Sequence, residues 1–124
     1  MPEPRIQLRR VYDLRDMSPR PENLVLVDRV WPRGIRKDEL GSALWLPDLA
    51  PSDALRRWFG HRADRWEEFR RRYRQELARP EQRRRLDELA RSAREASLTL
   101  VFGARDRARN QAVVIAEALE ERLA

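Results

Sequence analysis

Two short apolar runs, far apart in the chain, constrain the fold more than any other feature. Residues 24–27 read Leu-Val-Leu-Val, and residues 98–102 read Leu-Thr-Leu-Val-Phe. Continuous apolar runs of this length are typical of strands that are covered on both faces. The chain between them shows helical periodicity, which favours strands joined through helices. The sequence therefore predicts an α/β fold with a mainly parallel sheet and helices covering it.

The remaining segments predict a less regular start and a helical second half. Residues 5–12 alternate imperfectly and predict a first strand, and residues 13–23 predict a loop with two prolines. Residues 42–49 are ambiguous because Pro47 limits regular structure. Four apolar side chains of this segment are expected in the core: Leu44, Trp45, Leu46 and Leu49.

Helix signals are clear from residue 52 onward. Ser52 is a plausible N-cap and Gly60 a helix end. Residues 62–78 carry one apolar stripe, and Pro80 fits the first turn of a further helix. The chain closes with a helix over about residues 107–123. The predicted inward positions are Trp66, Phe69, Tyr73, Leu77, Leu86, Leu89, Ala90 and Ala93.

Composition excludes several classes of function. The 124 residues suit a single domain spanning residues 1–124. Cysteine is absent, which removes disulfides and thiolate chemistry, and a single histidine, His61, argues against a metal site. We expect no cofactor. The chain has no apolar run that resembles a signal peptide or membrane span, so we expect a cytoplasmic protein without membrane contact.

The first candidate functional segment is residues 28–34, Asp-Arg-Val-Trp-Pro-Arg-Gly, directly after the first buried-type strand. Ligand crevices of parallel sheets lie beyond the carboxyl ends of the strands. Asp28 offers acceptor oxygens, Arg29 and Arg33 offer guanidinium forks for an anion, and Trp31 offers a stacking plane. A purely structural use of these side chains, in ion pairs and core packing, is the alternative.

The second candidate segment, residues 105–110, follows the other buried-type strand and opens the last helix. Free backbone N–H groups and Arg105 favour an anion there. Asp106 fits better as a helix N-cap, which would occupy the anion position itself. Asn110, one turn inside the predicted helix, is interpreted as a ligand contact or as a brace for the first segment.

Two further features favour structural interpretations. His61 could act as a general acid or base, but a lone histidine after a helix-ending glycine is more often a capping or surface residue. The net charge is +6, and Lys37 is the only lysine among 27 basic residues. The arginines at residues 70–74 and 83–85 could follow nucleic-acid phosphates. Acidic residues are interleaved with them, so a solvated helix face is favoured.

Several strings together resemble the YeaO-like family, a domain of unknown function numbered 488. The most specific is Asp-Arg-x-Trp-Pro-Arg-Gly at residues 28–34. Further matching pieces lie at residues 11–13, 49–52, 66–69 and 98–100, and at Arg105, Asp106 and Asn110. The resemblance implies a bacterial protein with a small three-layer, Rossmann-like domain, and it implies no substrate. The chain departs from the family pattern at Pro47, where a lysine is common, and at Phe102, where a tyrosine is common.

These observations lead to two functional hypotheses. The first is a domain that binds or converts a small anionic, nucleotide-like molecule. Asp28, Arg29, Trp31 and Arg33 would form one wall, and Arg105, Asp106 and Asn110 the other. Asp28 would be the acid or base if chemistry occurs. The second hypothesis is a non-enzymatic module that binds nucleic acid or protein through the arginine-rich helices.

Overall fold

The computed structural model describes residues 5–124, in which a parallel sheet is combined with five α-helices. Residues 1–4, which the predicted domain of residues 1–124 includes, lie outside the described residues. The strands are β1 (Ile6–Arg10), β2 (Leu24–Leu26), β3 (Leu44–Trp45) and β4 (Leu98–Phe102). The helices are α1 (Lys37–Leu40), α2 (Asp53–Phe59), α3 (Trp66–Leu77), α4 (Pro80–Glu95) and α5 (Gln111–Leu123). Short 3-10 helices cover Val11–Asp16, Pro47–Leu49 and Ala63–Arg65.

The four strands form one sheet in the order β1-β4-β2-β3, and all neighbouring strands are parallel. Ile6 lies opposite Leu98, and Leu26 lies opposite Val101. This arrangement confirms the parallel sheet expected from the two apolar runs. It also aligns the carboxyl ends of β1, β2 and β4 at one edge, which is where the candidate segments begin.

Alternation along the central strands separates two packed layers, which gives the predicted three-layer, Rossmann-like architecture. Val25 and Val27 face the larger core, which they share with α2, α3, α4 and α5. Leu24 and Leu26 face a smaller core closed by the 3-10 helix Val11–Asp16 and α1. Both runs are apolar throughout because each strand is covered on both faces.

The helices begin and end largely where local chemistry predicts. The hydroxyl of Ser52 accepts a hydrogen bond from the Leu55 N–H at 3.2 Å, which caps α2, and Gly60 ends it with φ 52°. Pro80 stands in the first turn of α4. On α3, Phe69, Tyr73 and Leu77 are buried. The predicted inward residues of α4, namely Leu86, Leu89, Ala90 and Ala93, are also buried.

Three sequence expectations differ from the structure. The first strand ends at Arg10, because the chain turns into a 3-10 helix that buries Val11. The last helix starts at Gln111 and not near residue 107. Leu44 and Trp45, expected in the core, are 52% and 38% exposed because β3 is the edge strand of the sheet.

Candidate functional site

A cavity of about 270 Å³ opens at the carboxyl edge of the sheet. We call it the strand-end cavity. Its walls are the segments that follow β1, β2 and β4, the residues around α2, and the start of α5. Parallel strands direct their carboxyl ends, and therefore the loops after them, to the same edge. The geometry thus brings together segments that are up to about a hundred residues apart in the chain.

Asp28 lies in the wall of the strand-end cavity, two residues after β2. Its Oδ2 accepts a hydrogen bond from the backbone N–H of Gly103 at 3.0 Å. Its Oδ1 accepts one from the side-chain amide of Gln111 at 2.5 Å. The carboxyl group therefore joins the end of β2 to the end of β4 and to the first residue of α5.

Burial dominates the ionisation of Asp28. Removal from water raises the pKa of its carboxyl from 3.8 to about 6, although the hydrogen bonds from Gly103 and Gln111 favour the ionised form. A carboxyl with this pKa exchanges its proton close to neutral pH. Such a group in a cavity is a candidate for a functional role.

Gly103 is required by the close approach of Asp28. A Cβ atom at residue 103 would lie 2.8 Å from Oδ2 of Asp28 and 3.7 Å from Cβ of Pro32. Any larger residue would push the carboxyl group away from its backbone donor. The absence of a side chain at this strand end therefore fixes the position of Asp28.

Three guanidinium groups line the same cavity: Arg29, Arg33 and Arg56. Arg29 is held in place, since it donates to the carbonyl oxygens of Pro51 at 3.0 Å and Ala50 at 3.2 Å. Arg56 contacts Asp53 at 3.3 Å, and both side chains are largely exposed. Within residues 5–124, the exposed guanidinium of Arg33 has no hydrogen-bond or ion-pair partner. It is therefore available to an anion.

Aromatic rings form much of the remaining wall. Phe59 and Phe69 stack with their centroids 4.3 Å apart and their planes at 21°. Tyr12 lies below the guanidinium of Arg10, and its hydroxyl donates to the carbonyl oxygen of Arg33 at 2.7 Å. His61 also lines the cavity, is exposed, and has a positive φ of 58°. The cavity thus combines flat apolar surface with charge.

Three predicted site residues do not line the strand-end cavity. Trp31 packs against the smaller core, donates to the carbonyl oxygen of Ile35 at 2.6 Å, and meets the ring of Trp45 edge-on at 5.3 Å. Asp106 accepts from the backbone N–H groups of residues 108 and 109 in a turn before α5. Arg105 is exposed.

Asn110 and Gln111 occupy the positions at which α5 begins. Asn110 is the N-cap: its Oδ1 accepts from the N–H of Ala112 at 2.9 Å and from that of Val113 at 3.3 Å. It is only 2% exposed and lines the cavity. Gln111, which the sequence interpretation missed, donates to Asp28. The signal that could have found it is an amide at the first turn of a helix that follows a buried strand.

The four arginines of α3 at residues 70–74 are engaged in ion pairs. Arg70 contacts Glu117, with Nε and Oε1 2.9 Å apart, and Arg74 contacts Glu121 at 2.7 Å. Glu68 accepts from Arg71 and Arg72, which lowers the pKa of its carboxyl to about 2. The pairs with Glu117 and Glu121 connect α3 with α5, those with Glu68 lie within α3, and together they offset positive charge on α3.

Residues 5–124 contain neither a candidate membrane-spanning helix nor a cluster of metal-ligating side chains. None of the helices combines the length and apolarity that a bilayer crossing requires. No group of three histidine, aspartate or glutamate side chains is placed as metal ligands would be in this part of the chain.

Comparisons with known proteins identify relatives over most of the chain. A family model described as the inactive DUF488-N3 subclade matches residues 5–124. An uncharacterized protein of Mycobacterium tuberculosis is 40% identical over 120 residues, covering 97% of this chain and 98% of that protein. The uncharacterized protein YeaO of Escherichia coli is 39% identical over 112 residues, covering 90% and 94%. No solved structure matches significantly.

Proposed function

Since this chain belongs to the YeaO-like DUF488 family, we propose that it is a domain that binds a small anionic molecule in the strand-end cavity. The family description names a subclade as inactive, and this favours binding over turnover. Asp28 is accordingly proposed as a ligand contact and not as a general acid or base.

The observation that carries this proposal is the imbalance of charge around the cavity. Three arginines line it, and Asp28 is the only acidic residue among the lining residues in the described part of the chain, while Asp53 pairs with Arg29 and Arg56 from outside the lining. The side chain of Arg33 is exposed and has no hydrogen-bond or ion-pair partner among residues 5–124, and Arg29 is fixed by two carbonyl oxygens. Preorganised guanidinium groups bind phosphate or carboxylate oxygens through charge-assisted hydrogen bonds.

The alternative, a nucleic-acid or protein-binding module using the arginine-rich helices, receives less support from the contacts. Arg70, Arg71, Arg72 and Arg74 each contact a glutamate carboxylate. Binding phosphates through these side chains would require breaking such pairs. Arg33 has no ion-pair partner among residues 5–124, so an anion in the cavity can contact it without such an exchange; Arg83 and Arg84 on α4 are unpaired in the same residues but lie outside the cavity.

Calorimetric titration of the full chain tests the proposal. Nucleoside monophosphates and aromatic carboxylates serve as probes, and Arg33→Gln is compared with Arg84→Gln. Both variants remove one positive charge, but Arg84 is exposed on α4, away from the cavity. We expect Arg33→Gln to weaken binding about tenfold, because a charge-assisted hydrogen bond is lost. We expect Arg84→Gln to change it less than about twofold.

Two results would contradict the proposed function. Equal weakening by both variants would show that net charge alone attracts the probe. Absence of binding by the wild-type chain for every small anion, together with salt-dependent binding of duplex DNA, would favour the arginine-rich helices instead.

A further inference from the structure

The free acceptor positions of Asp28 narrow the class of ligand. An ionised carboxylate has about four lone-pair positions, two on each oxygen. The N–H of Gly103 occupies one position on Oδ2, and the amide of Gln111 occupies one on Oδ1. Each oxygen therefore keeps one acceptor position. Their natural complement is a pair of adjacent N–H donors.

The cavity beside Asp28 is small and partly apolar. Phe59 and Phe69 line it, but they stack on each other and are only 6% and 2% exposed, so they supply a narrow apolar surface. The cavity volume of about 270 Å³ is at the lower end of the usual range for small-molecule sites, about 300–1,000 Å³. It suits one planar group with a small substituent.

The exposed arginines of the cavity favour a ligand with an anionic group at the end that does not contact Asp28. Arg33 and Arg56 are exposed, whereas Asp28 is mostly buried. A ligand that meets both sets of groups therefore has its donor end inside and its anionic end at the opening.

We propose that the strand-end cavity selects a planar molecule that presents two adjacent N–H donors to Asp28 and an anionic group to Arg33 and Arg56. Amidine groups and the guanine edge have such donor pairs. This inference depends on the proposed function, because it assigns the ligand class of the same cavity. It makes Asp28 the residue that determines specificity.

Two matched probe pairs test the donor pattern on the full chain by calorimetry. The ligand 4-amidinobenzoate has two adjacent N–H donors, whereas 4-carbamoylbenzoate has one donor and one acceptor in the same shape. Guanosine monophosphate has the donor pair, and inosine monophosphate lacks its exocyclic amine. We expect the two-donor member of at least one pair to bind about tenfold more tightly. The pair that responds distinguishes an amidinium from a nucleobase.

The Asp28→Asn variant should reverse the benzoate preference. An asparagine at residue 28 keeps the acceptor for Gly103, and Gln111 can rotate its amide to accept from the new NH₂ group. The side chain then offers one acceptor and one donor, which complements the carbamoyl group. A purely structural role of Asp28 would not produce this reversal.

The pH dependence gives a readout that needs no variant at residue 28. The benzoate probes are used because the phosphate of a nucleotide titrates near pH 6 itself. The groups that face the cavity beside Asp28 are Arg29, Arg33, Arg56, His61 and Tyr12. We expect amidinobenzoate to bind more tightly as the pH rises from 5 to 7, because ionisation of Asp28 creates the second acceptor. His61→Gln should keep this dependence.

The outcomes separate failure of the inference from failure of the proposed function. If anions bind and Arg33→Gln weakens them, but both members of each pair bind equally in the wild-type chain, the ligand class is wrong and the binding function stands. Loss of the pH dependence in His61→Gln would also overturn the role of Asp28. If no probe binds at any pH, both proposals fail.

Discussion

The position of the Asp28 carboxyl is determined by residues that are distant in the chain. The side chain of Asp28 is partly buried, and its carboxyl accepts from two N–H donors that are far away in the chain. The sequence alone identified Asp28, Arg29 and Arg33 as residues at a strand end. It did not identify Gln111 or Gly103, because their partner lies 83 and 75 residues away and no local pattern records that contact.

The raised pKa of Asp28 predicts a pH-dependent cost to stability. Its value is 3.8 before burial and about 6 in the folded protein, so the folded state favours the neutral form. Asp28 therefore contributes its full share to the free energy of unfolding below about pH 4, where its carboxyl is neutral in both states. This contribution is lost as the pH rises through 6, because the buried carboxyl must then ionise. Asn does not ionise, so the free energy of unfolding of Asp28→Asn minus that of wild type should increase by about 2 kcal/mol from pH 4 to pH 7. This figure allows for the partial exposure of Asp28.

Urea denaturation at several pH values measures this difference. Arg84→Gln, at an exposed position of α4, is the control and should run parallel to wild type over the same pH range. A difference between Asp28→Asn and wild type that stays constant from pH 4 to 7 would contradict the raised pKa.

At the scale of elements, local signals predicted helices that begin at a clear cap. Ser52 and Gly60 bound α2, and Pro80 opens α4, as expected. The start of α5 was predicted too early because Asp106 also looks like a cap. In the structure Asp106 closes a separate turn, and Asn110 starts the helix. Two capping residues four positions apart leave the start of the helix ambiguous when only the local sequence is considered.

The cap of α5 predicts a measurable loss of stability. Asn110→Ala removes the acceptor for two backbone N–H groups and the hydrogen bond to the carbonyl oxygen of Asp106. We expect the free energy of unfolding to fall by about 1–2 kcal/mol. Asn110→Ser retains a capping oxygen and should lose less. Equal losses for alanine and serine, measured by chemical denaturation, would show that the cap contributes little.

For the whole molecule, the positive charge is arranged differently on the helices and at the cavity. Arginines of α3 contact glutamates of α3 and α5, whereas Arg33 at the cavity has no partner within the described residues. The positive charge of α3 is thus offset by glutamates, whereas Arg33 beside the cavity is left without such a carboxylate among residues 5–124.

This arrangement predicts that the α3 arginines bind nucleic acid only when released. The double variant Glu117→Gln, Glu121→Gln removes the α5 carboxylates that pair with Arg70 and Arg74, and Arg70 keeps only its longer contact with Glu67. We expect tighter binding of duplex DNA at low salt, with a slope of log affinity against log salt steeper by up to about two. Fluorescence anisotropy measures it.

The matched control for this prediction is Glu81→Gln, Glu95→Gln. It changes the charge equally, at exposed α4 residues that pair with no arginine in the described part of the chain. If both double variants respond alike, net charge decides and the ion pairs do not restrain these arginines.

The sequence by itself determined the class of fold and the edge at which a site would form. The two apolar runs predicted strands that are covered on both faces, and the helical periodicity of the chain between them predicted the helices that cover them. Strands joined through helices are typical of a parallel sheet. The tertiary structure decided which side chains share the cavity. Packing brings Gln111 and Gly103 within hydrogen-bond distance of Asp28 and places Trp31 against the smaller core. Leu44 and Trp45 are exposed because they lie on an edge strand. Such contacts depend on strand order and packing, which join residues that no local pattern connects.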